Sequence, residues 1–227
     1  MARYIDFRKT DWPFIEDLRR DDSLPFIHFP EEYHGEEKLK LCCTQISGLS
    51  DYQQKKVTDK WAEYLSAEKL PVKFLQCCTA TPQRIFDAIC TQGSIEVLRL
   101  KWGRFNDLSA ITKLKDLRAL HIDMASSVED LTPIGELEHL EYLFLDNVKK
   151  TQDFSAIGKL SGLTALHIGV GMWEWLTEVE SADFLLELKK LRYLSLGAVR
   201  FADGTALRKL NPEKFDYFFI RLEDEMV

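Results

Sequence analysis

The amino-acid sequence predicts an α/β solenoid, in which a curved parallel β-sheet carries short helical or 3₁₀ turns on its convex side. The first observation is an apolar frame, Ile-Glu-Val-Leu-Arg-Leu, at residues 95–100. Similar frames stand at residues 72–77, 117–122, 140–145, 163–168, 191–196 and 215–220. The second observation is their spacing, which is 22 to 24 residues except for one interval of 28. A nearly constant period of this size predicts about seven stacked units.

Each frame predicts a β-strand because its residues alternate between apolar and variable positions. Leu98 and Leu100 point to one side of such a strand, and Arg99 points to the other. One unit cannot bury its own apolar side, whereas stacked units share a continuous core. The frames therefore predict neighbouring parallel strands about 4.8 Å apart.

A second apolar phrase follows three of the frames and predicts the turn. The phrase, Asp-x-Ser/Thr-x-Ile, stands at residues 107–111, 130–134 and 153–157. Leucines follow it at a spacing of three residues, which suits a short helical or 3₁₀ turn. Hydroxyl side chains are good N-terminal caps, so we expect the caps to be Ser109, Thr132 and Ser155.

The interval of 28 residues, between 163 and 191, identifies one expanded unit. Its extra residues must leave the regular bend as a loop or a short helix. The stretch 169–176 contains Trp173 and Trp175, and tryptophan is enriched at binding interfaces. We therefore include both tryptophans among the candidate partner-binding residues. Packing of one tryptophan against the flank of the solenoid is the alternative.

These repeats resemble the bacterial leucine-rich repeat family, and they are most similar to internalin-type units of about 22 residues. The resemblance covers roughly two thirds of the chain and implies the solenoid fold. The family usually has Asn or Cys three residues after the last strand leucine. The residues at those positions here are Gly103, Ala125, Val148, Gly171 and Val199. We therefore expect backbone groups or water to satisfy each bend in place of an asparagine ladder.

Residues 1–71 do not repeat and are interpreted as an N-terminal cap on a solenoid that occupies residues 72–227. Ser50 to Gln53 has the form of a capping box, and apolar residues at helical spacing follow it. An amphipathic helix is therefore expected near residues 51–68. Lys38 to Cys43 could add one more strand to the sheet. The alternative is that residues 1–71 form a small separate binding module.

Composition bounds the class of protein. The 227 residues include no apolar stretch long enough for a membrane-spanning helix, and the net charge of −7 disfavours a nucleic-acid partner. The charged start of the sequence has no signal-peptide pattern, so a cytoplasmic location is expected.

The cysteines are expected to be reduced thiols. Their number is odd, and they are Cys42, Cys43, Cys77, Cys78 and Cys90. Adjacent residues of a strand point in opposite directions, so Cys77 should face the core and Cys78 should face outward. One such pair cannot easily chelate one zinc ion. No metal site and no cofactor are therefore expected.

The candidate site is the concave side of the sheet, because the leucines occupy the positions on the other side. Its candidate partner-binding residues are Arg99, His121, Asp123, Tyr142, Phe144, Asp146, His167, Tyr193, Tyr217 and Phe219. Exposed aromatic rings with histidines between them are typical of protein-binding hot spots. The alternative is that the N-terminal segment or a second copy of the chain covers this surface.

We expect a non-catalytic protein that binds another protein through the concave sheet and the 169–176 loop. A sharper alternative is an immunity protein that neutralises a bacterial toxin, which its small size and acidity suggest. A second alternative is an enzyme or a protein that binds a small ligand or metal through four polar residues of the concave sheet. These are His121, Asp123, Asp146 and His167. The two histidines lie two strands apart, roughly 10 Å, which is too far for a nucleophile and its base.

Overall fold

A ten-stranded sheet dominates the computed structural model, which describes residues 24–169 and 176–222. The strands are β1 (Phe26–Ile27), β2 (Lys38–Leu41), β3 (Phe74–Cys77), β4 (Thr81–Pro82), β5 (Val97–Leu100), β6 (Gly103–Arg104), β7 (Ala119–Asp123), β8 (Tyr142–Asp146), β9 (Ala165–Gly169), β10 (Thr177–Ser181), β11 (Tyr193–Asp203) and β12 (Tyr217–Leu222). The order in the sheet is β1-β2-β3-β5-β7-β8-β9-β11-β10, and β12 also pairs with β11. Each of these pairings is parallel. Strands β4 and β6 form a separate short pair at a bend.

A layer of short helices covers one side of the sheet. The α-helices are α1 (Asp51–Ala67), α2 (Gln83–Ile89) and α3 (Phe184–Glu187). The 3₁₀ helices are Pro30–Glu32, Ser109–Lys113, Thr132–Glu136, Ser155–Lys159, Thr205–Lys209 and Pro212–Lys214. From α1 to Thr205–Lys209 each helix of the layer contacts the next, so the layer is continuous. We call the opposite side of the sheet the concave face. Across the described ranges no helix combines the length and apolarity needed to cross a bilayer.

The core fills the space between the sheet and the helical layer. Equivalent leucines of successive strands are aligned by register and are 0% exposed; they are Leu98, Leu120, Leu143, Leu166 and Leu194. Full burial of a leucine side chain contributes about 1.5 to 3 kcal/mol, so a continuous row of them stabilises every strand pair. The predicted parallel solenoid is confirmed.

The same left-handed corner follows four of the apolar frames. Trp102, Met124, Asn147 and Ala198 have φ angles of 49°, 55°, 53° and 50°. Each stands two residues after the last strand leucine or isoleucine. The N–H of Met124 donates to the carbonyl of Asp146, and the N–H of Asn147 donates to that of Gly169, both at 3.0 Å. Backbone pairing therefore satisfies the bends at Met124 and Asn147, as expected.

The predicted 3₁₀ turns are present, but their capping residues differ from the expectation. Before each turn, an aspartate carboxylate accepts the backbone N–H of the residue two positions later, at 2.7, 2.7 and 2.8 Å. These aspartates are Asp107, Asp130 and Asp153. A carboxylate is a stronger acceptor than a hydroxyl and forms such local turns readily. Caps at Ser109, Thr132 and Ser155 are therefore wrong, because these residues donate N–H groups to the aspartates.

The N-terminal part of the described chain continues the sheet. Strand β2 pairs with β3, so Leu41 lies opposite Cys77, and β1 pairs with β2. Helix α1 begins after Ser50, whose Oγ accepts the N–H of Gln53. Trp61 of this helix is fully buried against the solenoid core. A division of the chain after residue 71 stays a prediction.

The expanded unit contains a strand directly after residues 169–176, the stretch in which a loop or a short helix is expected. Strand β10 pairs with the second half of β11, so Val179 lies opposite Phe201. Thr177 and Val179 are buried and Glu178 is half-buried, which is the alternation of a strand. Strand β10 does not test the loop or short helix expected at residues 169–176, which stays a prediction. Trp173 and Trp175 lie outside the described residues.

Candidate functional site

A chain of hydrogen bonds crosses the middle of the concave face. Its members lie on five strands, β7, β8, β9, β11 and β12. In spatial order they are His121, Asp146, His167, Ser195 and Tyr217. We call this set the polar ladder.

Asp146 is the centre of the polar ladder. Its Oδ2 lies 3.1 Å from Nε2 of His121, and its Oδ1 lies 3.0 Å from Nε2 of His167. Burial alone would raise the pKa of this carboxyl, but the hydrogen bonds from both histidines outweigh it. The pKa of Asp146 therefore lies below its ordinary value, and the carboxylate is ionised at neutral pH.

The charge of Asp146 fixes the direction of the other hydrogen bonds. A carboxylate only accepts, so Nε2 of each histidine donates to it. In the neutral imidazole of His167, Nδ1 is then an acceptor, and Ser195 Oγ donates to it across 3.0 Å. The Tyr217 hydroxyl is hydrogen-bonded to Ser195. Burial raises the pKa of Tyr217, with the Ser195 bond opposing it, so the hydroxyl keeps its proton.

Gly169 leaves room beside the Asp146 carboxylate. It lies opposite Asp146 in the register of β8 and β9 and has a φ of 146°. A Cβ at this position would stand 2.0 Å from the carbonyl oxygen of Gly197, so no side chain fits there. The carboxylate of Asp146 can therefore turn toward His167 on the same side of β9.

The ring of Phe144 lies between the two imidazoles. Its centroid is 5.3 Å from that of His121 and 5.5 Å from that of His167. The two histidines therefore do not contact each other, as the strand spacing predicted. The sequence did not predict that Asp146, which lies two residues after Phe144 on the same side of β8, accepts hydrogen bonds from both histidines.

Asp123 behaves oppositely to Asp146, although the two lie opposite each other on β7 and β8. Burial raises the pKa of Asp123 first, and the negative charge of Asp146 raises it further. Electrostatic interactions with His121, Arg99 and Lys101 oppose this shift. Asp123 is therefore held less firmly in its charged form than an exposed aspartate.

The aromatic candidates are less exposed than the sequence indicated. Tyr142, Phe144, Tyr193 and Phe219 are half-buried, and Tyr217 is 8% exposed. By contrast, Phe26 at the first strand is 58% exposed. The expectation of wide exposure is therefore wrong, because neighbouring parallel strands place other side chains against each ring.

One aromatic ring belongs to a small apolar cluster on the concave face itself. Val97 and Ala119 are buried there, and Phe74 and Tyr142 pack against them. These residues come from four consecutive strands of the sheet, β3, β5, β7 and β8. The cluster makes the surface beside the polar ladder apolar.

Charge changes sign along the concave face. Lys38 and Lys40 lie on β2 and Arg99 on β5, whereas Asp123 and Asp146 lie on β7 and β8. Arg99 stands directly opposite His121 in the strand register. The face is therefore basic toward its N-terminal end and acidic at its middle.

Metal ligation does not fit this arrangement. Within residues 24–169 and 176–222, no three or more His, Cys, Asp or Glu side chains are grouped so that they could hold an ion. In the polar ladder, Nε2 of both histidines is already committed to Asp146.

Solved structures of internalins have a similar backbone. An internalin (inlF) from Listeria monocytogenes matches with a TM-score of 0.56 and 16% identity, over 82% of this chain and 46% of that protein. Internalin C2 from the same organism matches with a TM-score of 0.56 and 19% identity, over 82% of this chain and 69% of that protein. The chain has the internalin-type leucine-rich repeat fold. No protein-family model and no curated protein sequence matches it.

The leucine-rich repeat fold explains which candidates meet and which do not. Strand register brings the candidates of β7 to β12 onto one surface, where four of them enter the polar ladder; these are His121, Asp146, His167 and Tyr217. Ser195 was missed as a candidate, although its place in the row beside His167 was a usable signal. The chain spans 46% of the first internalin's length, so nothing beyond the fold is taken from that protein.

Proposed function

We propose that this chain is a protein-interaction module that binds a partner protein through the concave face. The main support is that strand register places partly accessible aromatic rings, Tyr142, Phe144 and Tyr193, around the ordered polar ladder. Aromatic side chains provide much of the binding energy at protein interfaces. Side chains held by the ladder lose little further conformational freedom on binding, which favours affinity.

The charges and one unpaired acceptor suggest how the partner would be oriented. Acidic groups of the partner would face Arg99, and a basic group would face Asp123. Nδ1 of His121 is buried and makes no hydrogen bond within the described part of the chain. In the neutral imidazole, whose Nε2 donates to Asp146, this Nδ1 is an acceptor, and a donor of the partner would reach it only after the side chains that cover it move aside.

The test is a binding measurement on the concave face. Proteins that co-purify with the tagged chain from its native cells would be identified, and the affinity of each for the purified chain would be measured. Replacing Tyr142 and Phe144 together by Ala should weaken binding by more than about 2 kcal/mol, which is roughly 30-fold in Kd. Tyr52→Ala is the matched control, because Tyr52 is 67% exposed on α1, away from the concave face.

Unchanged affinity in a folded Tyr142→Ala/Phe144→Ala variant would reject the concave face as the binding surface. An equal loss in Tyr52→Ala would point to the helical side. Self-association of the chain that the Tyr142→Ala/Phe144→Ala variant loses would show that the concave face binds a second copy.

A second candidate is hydrolysis, which one feature favours. Ser195 donates to His167, and His167 donates to Asp146, in the order of a Ser-His-Asp triad and at 3.0 Å each. We rank this function lower because Ser195 is 1% exposed and Tyr217 occupies the other side of its oxygen. Labelling by a fluorophosphonate probe that Ser195→Ala abolishes would favour the enzyme, and no labelling would remove it.

Two finer expectations stay predictions. A toxin-neutralising role requires that co-expression of the chain rescues cells from a toxin it binds. A cytoplasmic location requires fractionation of the native cells.

A further inference from the structure

Two thiols meet beside the concave face, at the ends of β2 and β3. Cys42 directly follows β2, and Cys78 directly follows β3. The strands pair in parallel up to Leu41 and Cys77, and the N–H of Cys78 then donates to the carbonyl of Leu41 at 2.9 Å. Cys42 and Cys78 are therefore side by side, at a Cα separation of about 5 Å, which suits a disulfide.

Both side chains point to the same side of the sheet. Leu41, Cys43 and Cys77 belong to the main core cluster, whereas Cys42 and Cys78 do not. This is the alternation expected when successive residues point in opposite directions. The Cys78 thiol donates to the carbonyl of Gln76 at 3.8 Å and interacts with the Cys42 thiol, and all five cysteines are unbridged.

A cleft gives solvent access to this thiol pair. Cys42 and Cys78 both line a cavity of about 490 Å³ whose other walls include Phe26, His28 and Thr44. Cys78 is half-buried and Cys42 is 6% exposed, so a molecule as small as hydrogen peroxide can approach Cys78 first. Burial shields the other three thiols.

The surroundings of Cys78 favour its thiolate. The hydrogen bond from Cys42 lowers the pKa of Cys78, burial opposes this, and the charges of Lys40, Arg99 and Lys101 lower it further. Burial raises the pKa of Cys43 to about 12. Because the thiolate is the reactive form of cysteine, Cys78 is the expected nucleophile.

We propose that Cys78 is a peroxide-reactive thiol and that Cys42 resolves its oxidised form to a reversible disulfide. The Cys78 thiolate attacks one oxygen of hydrogen peroxide, so that an S–O bond forms, the O–O bond breaks, and hydroxide leaves and takes a proton from solvent. Cys42 then attacks the Cys78 sulfur. The S–S bond forms, the S–O bond breaks, and the departing hydroxide takes the Cys42 proton as water.

In the two steps the peroxide is reduced to two molecules of water and the two cysteines lose two electrons. A dithiol reductant reverses the change by thiol–disulfide exchange. The site is independent of the proposed protein binding, because it requires no partner protein.

The test treats the folded, reduced chain with hydrogen peroxide, alkylates the remaining thiols after denaturation, and identifies linked peptides by mass spectrometry. We expect a mass loss of about 2 Da and one link between Cys42 and Cys78. In Cys42→Ser, dimedone should trap a sulfenic acid on Cys78. Cys43→Ser is the matched control, because it changes the adjacent residue on the opposite side, and it should still form the link.

A second measurement is independent of disulfide formation. Iodoacetamide should alkylate Cys78 in the native chain at pH 7 at least about tenfold faster than Cys43 or Cys90. The proposal is overturned if peroxide yields neither the link in the native chain nor the dimedone adduct in folded Cys42→Ser. It is also overturned if Cys43→Ser abolishes the link while the circular dichroism spectrum stays native.

Discussion

The same strand register aligns identical residues on the core side of the sheet and different residues on the concave face. On the core side, Leu120, Leu143 and Leu166 repeat one residue type in one row, and all are 0% exposed. On the concave face, the adjacent row reads His121, Phe144, His167 and Ser195 across the same strands. The core side gains stability from repetition, whereas the concave face places unlike groups in contact at fixed spacing.

This difference indicates where substitutions can be tolerated. A core leucine contacts equivalents above and below it, so its loss leaves a cavity that neighbouring units cannot close. A concave residue is bonded to particular neighbours, so its loss changes the hydrogen bonds or the surface and leaves the stacking in place. Stability should therefore depend mainly on the core side and recognition mainly on the concave face.

The largest expected effect separates these two roles on a single strand. Leu143→Ala should lower the free energy of unfolding by about 2 to 5 kcal/mol, because Leu143 is fully buried. Phe144→Ala, one residue away on the other side, should cost less than about 2 kcal/mol because its ring is half-buried. Urea unfolding of both variants measures this. Equal costs would show that the concave face supports the fold as much as the core does.

The next effect concerns the centre of the polar ladder. Asp146→Asn removes the charge that accepts two hydrogen bonds from His121 and His167, and it should lower the free energy of unfolding at pH 7 by about 1.5 to 3 kcal/mol. The pKa of Asp146 is lowered in the folded chain, so this contribution is present above the unfolded pKa of about 3.9. It is lost as the pH falls through the folded pKa.

The control for Asp146 is Asp216→Asn. The pKa of Asp216 is also lowered, by the hydrogen bond with Arg192, but both side chains are exposed. Exposed ion pairs contribute little to stability, so this variant should unfold at nearly the same urea concentration as the native chain. A cost equal to that of Asp146→Asn would contradict the importance of burial in the polar ladder.

The smallest effect should have the opposite sign. The pKa of Asp123 is raised, mainly by burial, so ionisation of Asp123 destabilises the fold as the pH rises through its folded pKa. Asp123→Asn should therefore raise the free energy of unfolding at pH 7 by less than about 1 kcal/mol. The gain should vanish below the unfolded pKa of about 3.9, which thermal unfolding at pH 3 and pH 7 would show. A loss of stability at pH 7 would indicate that the Asp123 charge is favourably paired.

The sequence predicted the rows of the sheet because a row depends only on a period of two. It therefore placed Phe144 between His121 and His167 correctly. It did not predict the polar ladder, since the reach of Asp146 across rows depends on side-chain rotamers and on the space beside Gly169. Sequence spacing predicts which side chains stand opposite each other on neighbouring strands. It does not predict hydrogen bonds between side chains that are offset along the strands.

Two further differences have local causes. Strand β10 was missed because Thr177 to Ser181 has one strong apolar residue, Val179, and its pairing requires the unusual length of β11. The thiol contact was missed because the sequence pattern left open whether Lys38 to Cys43 form a strand of the sheet. Once β2 pairs with β3, alternation alone places Cys42 and Cys78 on one side.

The polar ladder also determines from which end the molecule opens. Strands β1, β2, β3 and β5 of the large sheet lie outside the polar ladder, so separation there can proceed strand by strand from the end, as in a one-dimensional array. At the C-terminal end, opening must break the bonds from Tyr217 to Asp146 in succession. The end formed by β1 and β2 lies outside the ladder, so fraying and fast hydrogen exchange should begin there. Cys42 and Cys78 lie at the ends of β2 and β3, so a disulfide between them would hold together the strands that separate first.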